Sequence, residues 1–138
     1  FWLPEDERMR VFVEDARRVT SDPFAVEADI KRVYGMAAGE VNSFLNAYYA
    51  DTQPLSRGQE ERVIPVVRNV IKTGGNTYRI EWDERITGTS KSSATRVERW
   101  TAVLQAEVKL PNTDRDVFNN PLGVYITQLD WYPESSAK

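Results

Sequence analysis

A chain of 138 residues with neither cysteine nor histidine is long enough to form one domain around one hydrophobic core. The two missing residue types exclude disulfides, thiol nucleophiles, imidazole acid–base catalysis and nearly every tight transition-metal site. The 18 basic and 21 acidic residues give a net charge of −3, and no run of Lys or Arg interleaved with aromatics marks a nucleic-acid groove. We therefore predict a single domain over residues 1–138, with no cofactor and no direct nucleic-acid partner.

The start of the chain bears on membrane attachment. No stretch reaches the ~18 consecutive apolar residues that mark a membrane-spanning helix. The sequence opens on Phe1 and not on methionine. We therefore expect it to be a trimmed piece of a longer protein, whose targeting or anchoring segment lies upstream of Phe1.

The first third of the sequence has the pattern of helices. Three segments repeat apolar residues at the spacing of an amphipathic helix: one after Pro4, one that restarts at Asp22-Pro23, and one from Glu40 to Ala50. The residues predicted to face the core are Met9, Phe12, Val13, Ala16 and Val19 in the first segment, Phe24, Ala28, Ile30, Val33, Tyr34 and Ala37 in the second, and Val41, Phe44, Leu45, Tyr48 and Tyr49 in the third.

Beyond Glu61 the apolar period falls to about 2, which indicates β-strands. A strand from Val63 to Ile71 is followed by a Gly-Gly-Asn turn and a return strand, and together these predict an antiparallel hairpin. A third strand, Arg96 to Leu110, is so long that at ~3.3 Å per residue it is expected to bend or coil. A fourth strand runs from Gly123 to Tyr132.

Helices that all precede the strands are typical of an α+β domain and not of a β-α-β repeat. We predict three helices packed on one face of a strongly curved four-stranded antiparallel sheet. Helices and curved sheet would then enclose a cone. We expect the chain's own side chains to fill it, chiefly Trp82, Trp100, Phe44 and Tyr48.

The acidic segment before the last strand is a candidate metal site. Asn112, Asp114 and Asp116 stand at the first three ligand positions of a calcium loop. The required glycine is replaced by Val117, however, and the required bidentate glutamate by Gly123. We therefore predict a solvated connection and no metal.

Glu84 is the candidate catalytic group. It lies beside Trp82 on the apolar face of its strand, where a carboxylate of raised pKa can act as a general base. The alternative is an ion pair near the strand end, because Arg96 and Glu98 occupy the outer end of the facing strand. The ion pair is the simpler interpretation, and we predict no catalytic residue.

A four-residue motif, Asn120-Pro121-Leu122-Gly123, directly precedes the last strand. Asn first, Pro second and Gly fourth is the residue order that a type I turn prefers. Leu122 is not explained by the turn, because a large apolar side chain at a turn tip either folds back on the core or meets a partner. We predict that Asn120, Pro121 and Gly123 build the turn and that Leu122 contacts a partner, with the fold-back arrangement as the alternative.

The string "NPLGVYITQLDWYPE" resembles the end of the periplasmic domain of TrbF-type assembly proteins of conjugative type IV secretion systems. That end carries an Asn-Pro-x-Gly motif before a last strand with an aromatic near its finish. Three further segments agree in order: "RRVTSDP" at 17–23, "NTYRIEWDE" at 76–84 and "ERWTAVLQAEV" at 98–108. The resemblance covers almost the whole chain from Phe12 onward.

The resemblance implies a single-pass inner-membrane protein of Gram-negative bacteria. It would have a short cytoplasmic tail, one spanning helix upstream of this sequence, and a periplasmic domain with the nuclear transport factor two-like fold. Its function would be that of a non-enzymatic scaffold that bridges other secretion subunits, without a small-molecule substrate. We also expect weak self-association into a dimer or higher oligomer, because anchoring to a membrane concentrates the domain.

Two other hypotheses remain open. One is a small-molecule-binding or isomerase-like enzyme on the same cone-shaped fold, which fold analogy alone cannot separate from a scaffold. Such enzymes usually place an Asp, His or Tyr deep in the cone, whereas we expect acidic residues here only near the ends of the strands. The other is an extracellular adhesion domain, which would require a cleaved signal upstream.

Overall fold

The computed structural model describes residues 4–90, 94–109, 113–114, 120 and 123–134. Within these ranges the helices precede the strands, and no helix is long and apolar enough to cross a membrane. The helices are α1 (Glu5–Arg17), α2 (Pro23–Met36), α3 (Glu40–Thr52) and the single turn α4 (Pro54–Arg57). The strands are β1 (Glu61–Gly74), β2 (Thr77–Gly88), β3 (Thr95–Val108) and β4 (Val124–Pro133).

The four strands form one antiparallel sheet in the order β1-β2-β3-β4. The predicted hairpin is confirmed, with Val63 opposite Ile86 and Lys72 opposite Tyr78. Pairing skips Arg68 in β1 and Thr127 in β4, and such bulges bend a strand and increase its twist. The sheet therefore curves around the helices, and the predicted fold class is confirmed.

The helix boundaries follow local signals in the sequence. The first turn of α1 carries three acidic residues directly after Pro4. Their negative charges stabilise the helix by interacting with the positive end of its dipole. At the start of α2, the Asp22 carboxylate accepts hydrogen bonds from the backbone amides of Phe24, at 3.0 Å, and Ala25, at 3.4 Å. This cap and Pro23 at the first helical position explain why the chain restarts as a helix there.

The core lies between the helices and one face of the sheet. Its members include four of the five residues predicted for the first helical segment, all but Val19, together with alternate residues of β2. They are Met9, Phe12, Val13, Ala16, Val33, Val41 and Leu45 from the helices, and Tyr78, Ile80, Trp82, Ala102, Leu104, Ala106, Val124 and Ile126 from the sheet.

The predicted face of α2 is partly wrong. Val33 is buried as expected, but Phe24 is 82% exposed, and the helix buries Val26 and Asp29 in its place. The reason is that α2 packs against α1 through charged side chains, so its inner face is not its most apolar face. Val19 is buried beyond the end of α1, where it forms an isolated antiparallel bridge with β1.

Candidate functional site

The interior of the cone contains a buried ion pair. Arg17, the last residue of α1, is 4% exposed, and Glu84, which points inward from β2, is 1% exposed. The Nε atom of Arg17 donates to one carboxylate oxygen of Glu84 at 2.6 Å, and its Nη2 donates to the other at 3.0 Å. The pair is bidentate, which is the strongest geometry for a guanidinium and a carboxylate.

Aromatic rings surround this pair. The guanidinium carbon of Arg17 lies 3.9 Å from the ring centroid of Trp100 and 4.9 Å from that of Trp131. The corresponding distances are 5.1 Å to Tyr48 and 5.7 Å to Trp82. All four are within the range of a cation–π interaction. The guanidinium that pairs with Glu84 is therefore surrounded by four aromatic side chains, which we call the aromatic box: Tyr48, Trp82, Trp100 and Trp131.

The structure corrects the expected environment of Glu84. The indole Nε1 of Trp82 donates to the same oxygen that accepts from Arg17 Nε, at 3.0 Å, so both carboxylate oxygens accept hydrogen bonds from buried donors. Arg96, at the facing strand end, pairs instead with Glu98 at 3.3 Å and Glu61 at 3.8 Å. The acidic residue that was expected near a strand end is thus deep in the cone, and it is not free to act as a base.

Sequence reasoning missed Arg17 because α1 and β2 are far apart along the chain. A signal was present, however. Arg17 follows Val13 by four residues and so shares the buried face of α1, while Glu84 interrupts the apolar alternation of β2. One positive and one negative residue, each on an otherwise apolar face, are typical of a buried pair.

A second polar cluster joins α1 to α2. Arg18 Nη1 donates to Asp15 at 2.9 Å and to Asp29 at 3.3 Å. Arg32 Nε donates to Asp15 at 3.2 Å, and Arg32 Nη2 also donates to Asp29. Burial raises the pKa of Asp29, and the nearby Asp15 carboxylate raises it further, while the arginines oppose both effects. This cluster explains why the inner face of α2 includes a carboxylate.

The described ends of the Asn-Pro-Leu-Gly motif close a turn. The backbone amide of Gly123 donates to the carbonyl of Asn120 at 2.9 Å, and Gly123 has a φ of +64°, a conformation that favours glycine. The Asn120 side chain is buried and donates to the carbonyl of Val124 at 2.5 Å and to that of Gly35 at 3.4 Å. Pro121 and Leu122 lie outside the described residues, so the contact of Leu122 stays a prediction.

The acidic segment that was weighed as a calcium loop falls largely outside the described residues. Of its three candidate ligands, only Asp114 is described, and it is exposed. Among the residues that the structure describes, no group of three acidic side chains is placed to hold a metal ion.

Residues 7–134 match the VirB8 protein family, which is nearly the whole chain. The chain belongs to the VirB8 family. A curated relative, the conjugal transfer protein TrbF of Rhizobium radiobacter, is 25% identical over 123 residues, covering 87% of this chain and 55% of that protein. This VirB8-family chain therefore spans about half the length of the curated relative that it matches.

Solved structures share the fold of this VirB8-family domain. The VirB8 protein of Agrobacterium tumefaciens has a TM-score of 0.81 at 14% identity, with 100% of this chain and 99% of that chain covered. The soluble domain of the type IV secretion protein TrwG from Bartonella grahamii has a TM-score of 0.82 at 16% identity, with 99% of each chain covered. A TraE protein in complex with 4-(1H-pyrrol-1-yl)pyridine-2-carboxylic acid has a TM-score of 0.78 at 19% identity, with 97% and 99% covered.

These matches confirm the resemblance that the sequence motifs carried, at the level of the family, and the nuclear transport factor two-like fold. Membership of the VirB8 family makes the chain a type IV secretion component. The segments that carried the resemblance also contain both partners of the buried pair, because Arg17 opens "RRVTSDP" and Glu84 closes "NTYRIEWDE".

Proposed function

We propose that this domain is a non-enzymatic scaffold of a conjugative type IV secretion channel. It stands in the periplasm at the inner membrane of a Gram-negative bacterium, anchored by a segment outside this sequence, and bridges other secretion subunits. Family membership supports the secretion role, and the conjugal transfer name of the relative TrbF supports the link to conjugation.

The observation that carries the proposal against the enzyme alternative is the filled aromatic box. A binding site for a small molecule needs a cavity with a few free polar groups aimed into it. Here the space beside Glu84 holds the guanidinium of Arg17, and the carboxylate accepts hydrogen bonds on both oxygens. To admit a substrate, the domain would have to break this buried pair, which favours a scaffold over an isomerase-like enzyme.

We further propose that the Asn-Pro-Leu-Gly turn presents Leu122 to a partner, because Asn120 and Gly123 are already engaged in holding the turn. Self-association is expected to be weak. A membrane anchor raises the effective concentration of its domain, so modest contacts suffice for assembly.

The proposal is tested with the full-length protein in its own donor cell. Alkaline phosphatase, which needs its disulfides and so folds in the oxidising periplasm, is fused to the C-terminus of the full-length protein. We expect an active phosphatase, and we expect deletion of the gene to abolish plasmid transfer and the fusion to restore it. An inactive phosphatase would contradict the periplasmic location, and undiminished transfer in the deletion strain would contradict the secretion role.

A further inference from the structure

A cleft of about 160 Å³ lies between α1 and α2 and is lined by none of the residues of the aromatic box. Its apolar lining comes from Val11 and Phe12 of α1 and from Val33 and Met36 of α2. Asn120, the first residue of the turn motif, also lines it. The cleft therefore adjoins α1, α2 and the first residue of the Asn-Pro-Leu-Gly motif.

Arg8 brings an unpaired hydrogen-bond donor to this cleft. Its Nε atom is buried and has no hydrogen-bond partner in the part of the chain that the structure describes. Burial lowers the pKa of Arg8 from its ordinary value, because the charged form loses water without gaining a counter-ion. Buried donors nearly always have an acceptor, so an acceptor supplied from outside would recover the free energy that this arrangement costs.

The other charges at the cleft are balanced. Asp15 and Arg32 also line it, but the carboxylates of Asp15 and Asp29 are both bonded by Arg18 and Arg32. Two negative and two positive charges cancel, and Arg8 remains as one net positive charge. The cleft thus offers an apolar surface with a place for one anion.

Size restricts the occupant. Pockets for drug-sized ligands have volumes of roughly 300–1,000 Å³, whereas this cleft has about 160 Å³. That volume suits a single large side chain. In the C-terminal residue of a polypeptide, an apolar side chain and a carboxylate are attached to the same Cα atom. Such a residue therefore combines the two groups that the cleft can bind.

We propose that the cleft between α1 and α2 binds the C-terminal residue of a partner polypeptide, with an apolar side chain such as Leu or Phe against Val11, Val33 and Met36 and the α-carboxylate against Arg8. The choice of a polypeptide as occupant rests on the proposed scaffold function. The pairing of carboxylate with guanidinium rests on the unpaired Nε of Arg8 and on the charge balance of the cleft.

The test is an NMR titration of the ¹⁵N-labelled domain with the peptide acetyl-Gly-Gly-Leu-Phe. The probe is used once with a free C-terminal carboxylate and once as the C-terminal amide. We expect the free acid to shift the backbone amides of Arg8, Val11 and Val33, and to bind at least ~10-fold more tightly than the amide, as loss of a charged hydrogen bond implies.

Arg8→Met removes the charge but keeps a long side chain, and it is expected to abolish the preference for the acid. Arg85→Met makes the same change at an exposed arginine on the opposite face of β2 and is expected to keep that preference. Because an unpaired buried donor is lost, Arg8→Met is also expected to raise the melting temperature by about 2 to 5 °C. If Arg8→Met does not fold, Arg8→Gln makes the same comparison.

Three results would overturn the proposal. They are no binding of the acid at millimolar concentration, equal affinities of the wild-type domain for acid and amide, or a loss of the preference for the acid in Arg85→Met as large as in Arg8→Met. A third probe, 3-phenylpropionate, separates a chain terminus from a small acid. Tighter binding of 3-phenylpropionate than of the peptide would overturn the assignment to a polypeptide. The titration measures peptide binding by the isolated domain, whereas the secretion role is measured by plasmid transfer. A negative titration would therefore not contradict the secretion role.

Discussion

Arg17 and Glu84 connect the first helix to the second strand through two hydrogen bonds inside the core. Removing two charges from water costs free energy, and the pair recovers it only while both partners are present. The rings of the aromatic box add cation–π contacts to the arginine side. A change to one partner is therefore expected to cost more than the pair contributes as a unit.

Glu84→Gln is expected to lower the free energy of unfolding by ~3–5 kcal/mol, because it leaves a buried guanidinium without a counter-charge. The control is Glu98→Gln, which lies directly opposite Glu84 in the sheet but has a side chain 41% exposed. There we expect a loss of ~0–1 kcal/mol. Urea denaturation measures both, and equal losses would show that the buried pair has no special role.

Gly123 occupies a left-handed conformation at φ +64°, which a β-branched residue tolerates poorly. Gly123→Val is expected to destabilise the domain by ~1–3 kcal/mol. Gly123→Asn is the matched control, since asparagine visits this conformation more readily, and its loss is expected to be smaller. Thermal denaturation compares the two. A Val variant as stable as the Asn variant would mean that the turn relaxes to another geometry.

At the level of helices and strands, the periodicity of apolar residues predicted those elements and faces that are buried by apolar packing. The buried face of α1 followed from the helical spacing of residues such as Met9 and Phe12. The β1–β2 hairpin followed from the alternating pattern of its strands and the Gly-Gly-Asn turn between them. The face of α2 did not, because Asp29 is buried by its bonds to Arg18 and Arg32. Charge pairing between distant segments has no local period, so neither this cluster nor the partner of Glu84 was predicted.

Helix α3 packs on the sheet through its core residues Val41 and Leu45 and through one ring of β4. Trp131 makes edge-to-face contacts with Phe44, at 5.2 Å between centroids, and with Tyr48, at 4.9 Å. Two aromatic pairs contribute roughly 1–3 kcal/mol beyond their buried area. Trp131 also lies over Arg17 of α1, as Trp100 does, so the two contacts with α3 are what distinguish Trp131 from Trp100.

Trp131→Ala is expected to speed amide hydrogen exchange in α3 by about 10- to 100-fold relative to α1, because local opening becomes less costly. Trp100→Ala is the control. Trp100 belongs to the same aromatic box and stacks on Trp82, but its described ring contacts do not include α3. Site-resolved exchange measures both variants, and uniform acceleration over the domain would contradict a local attachment.

For the molecule as a whole, the absence of histidine leaves no side chain with an ordinary pKa between about 6 and 8. Stability is expected to change little in that range. Burial raises the pKa of Tyr49. Burial also raises the pKa of Tyr78, and the hydrogen bond that the Tyr78 hydroxyl donates to Glu5 raises it further. A pKa raised by folding means that the folded state holds the proton more tightly, so stability is full below the unfolded value of about 10 and falls above it.

Unfolding by urea at pH 8 and at pH 10.5 measures this alkaline loss. Tyr49→Phe is expected to lower stability at pH 8 by ~1 kcal/mol, because the hydrogen bond to the Ala16 carbonyl is lost. The same variant is expected to show a shallower loss at pH 10.5, since one buried phenol no longer titrates. Tyr132→Phe removes the hydroxyl of an exposed ring and serves as control. An equal alkaline loss in Tyr49→Phe and the wild type would contradict the assignment.

Assembly is the property that only the whole molecule shows, and Leu122 is its proposed contact. Leu122→Arg is expected to change the free energy of unfolding by no more than about 0.5 kcal/mol, as substitutions at exposed positions usually do. It is also expected to reduce plasmid transfer and the capture of other secretion subunits, because an apolar anchor of the interface is lost. Val108→Arg is the control, because Val108 is an apolar residue 66% exposed on β3, and we expect it to keep stability and transfer. A Leu122→Arg domain that unfolds would show that the leucine folds back on the core. A stable variant with full transfer would contradict the contact, because the charge would then stand where no partner binds.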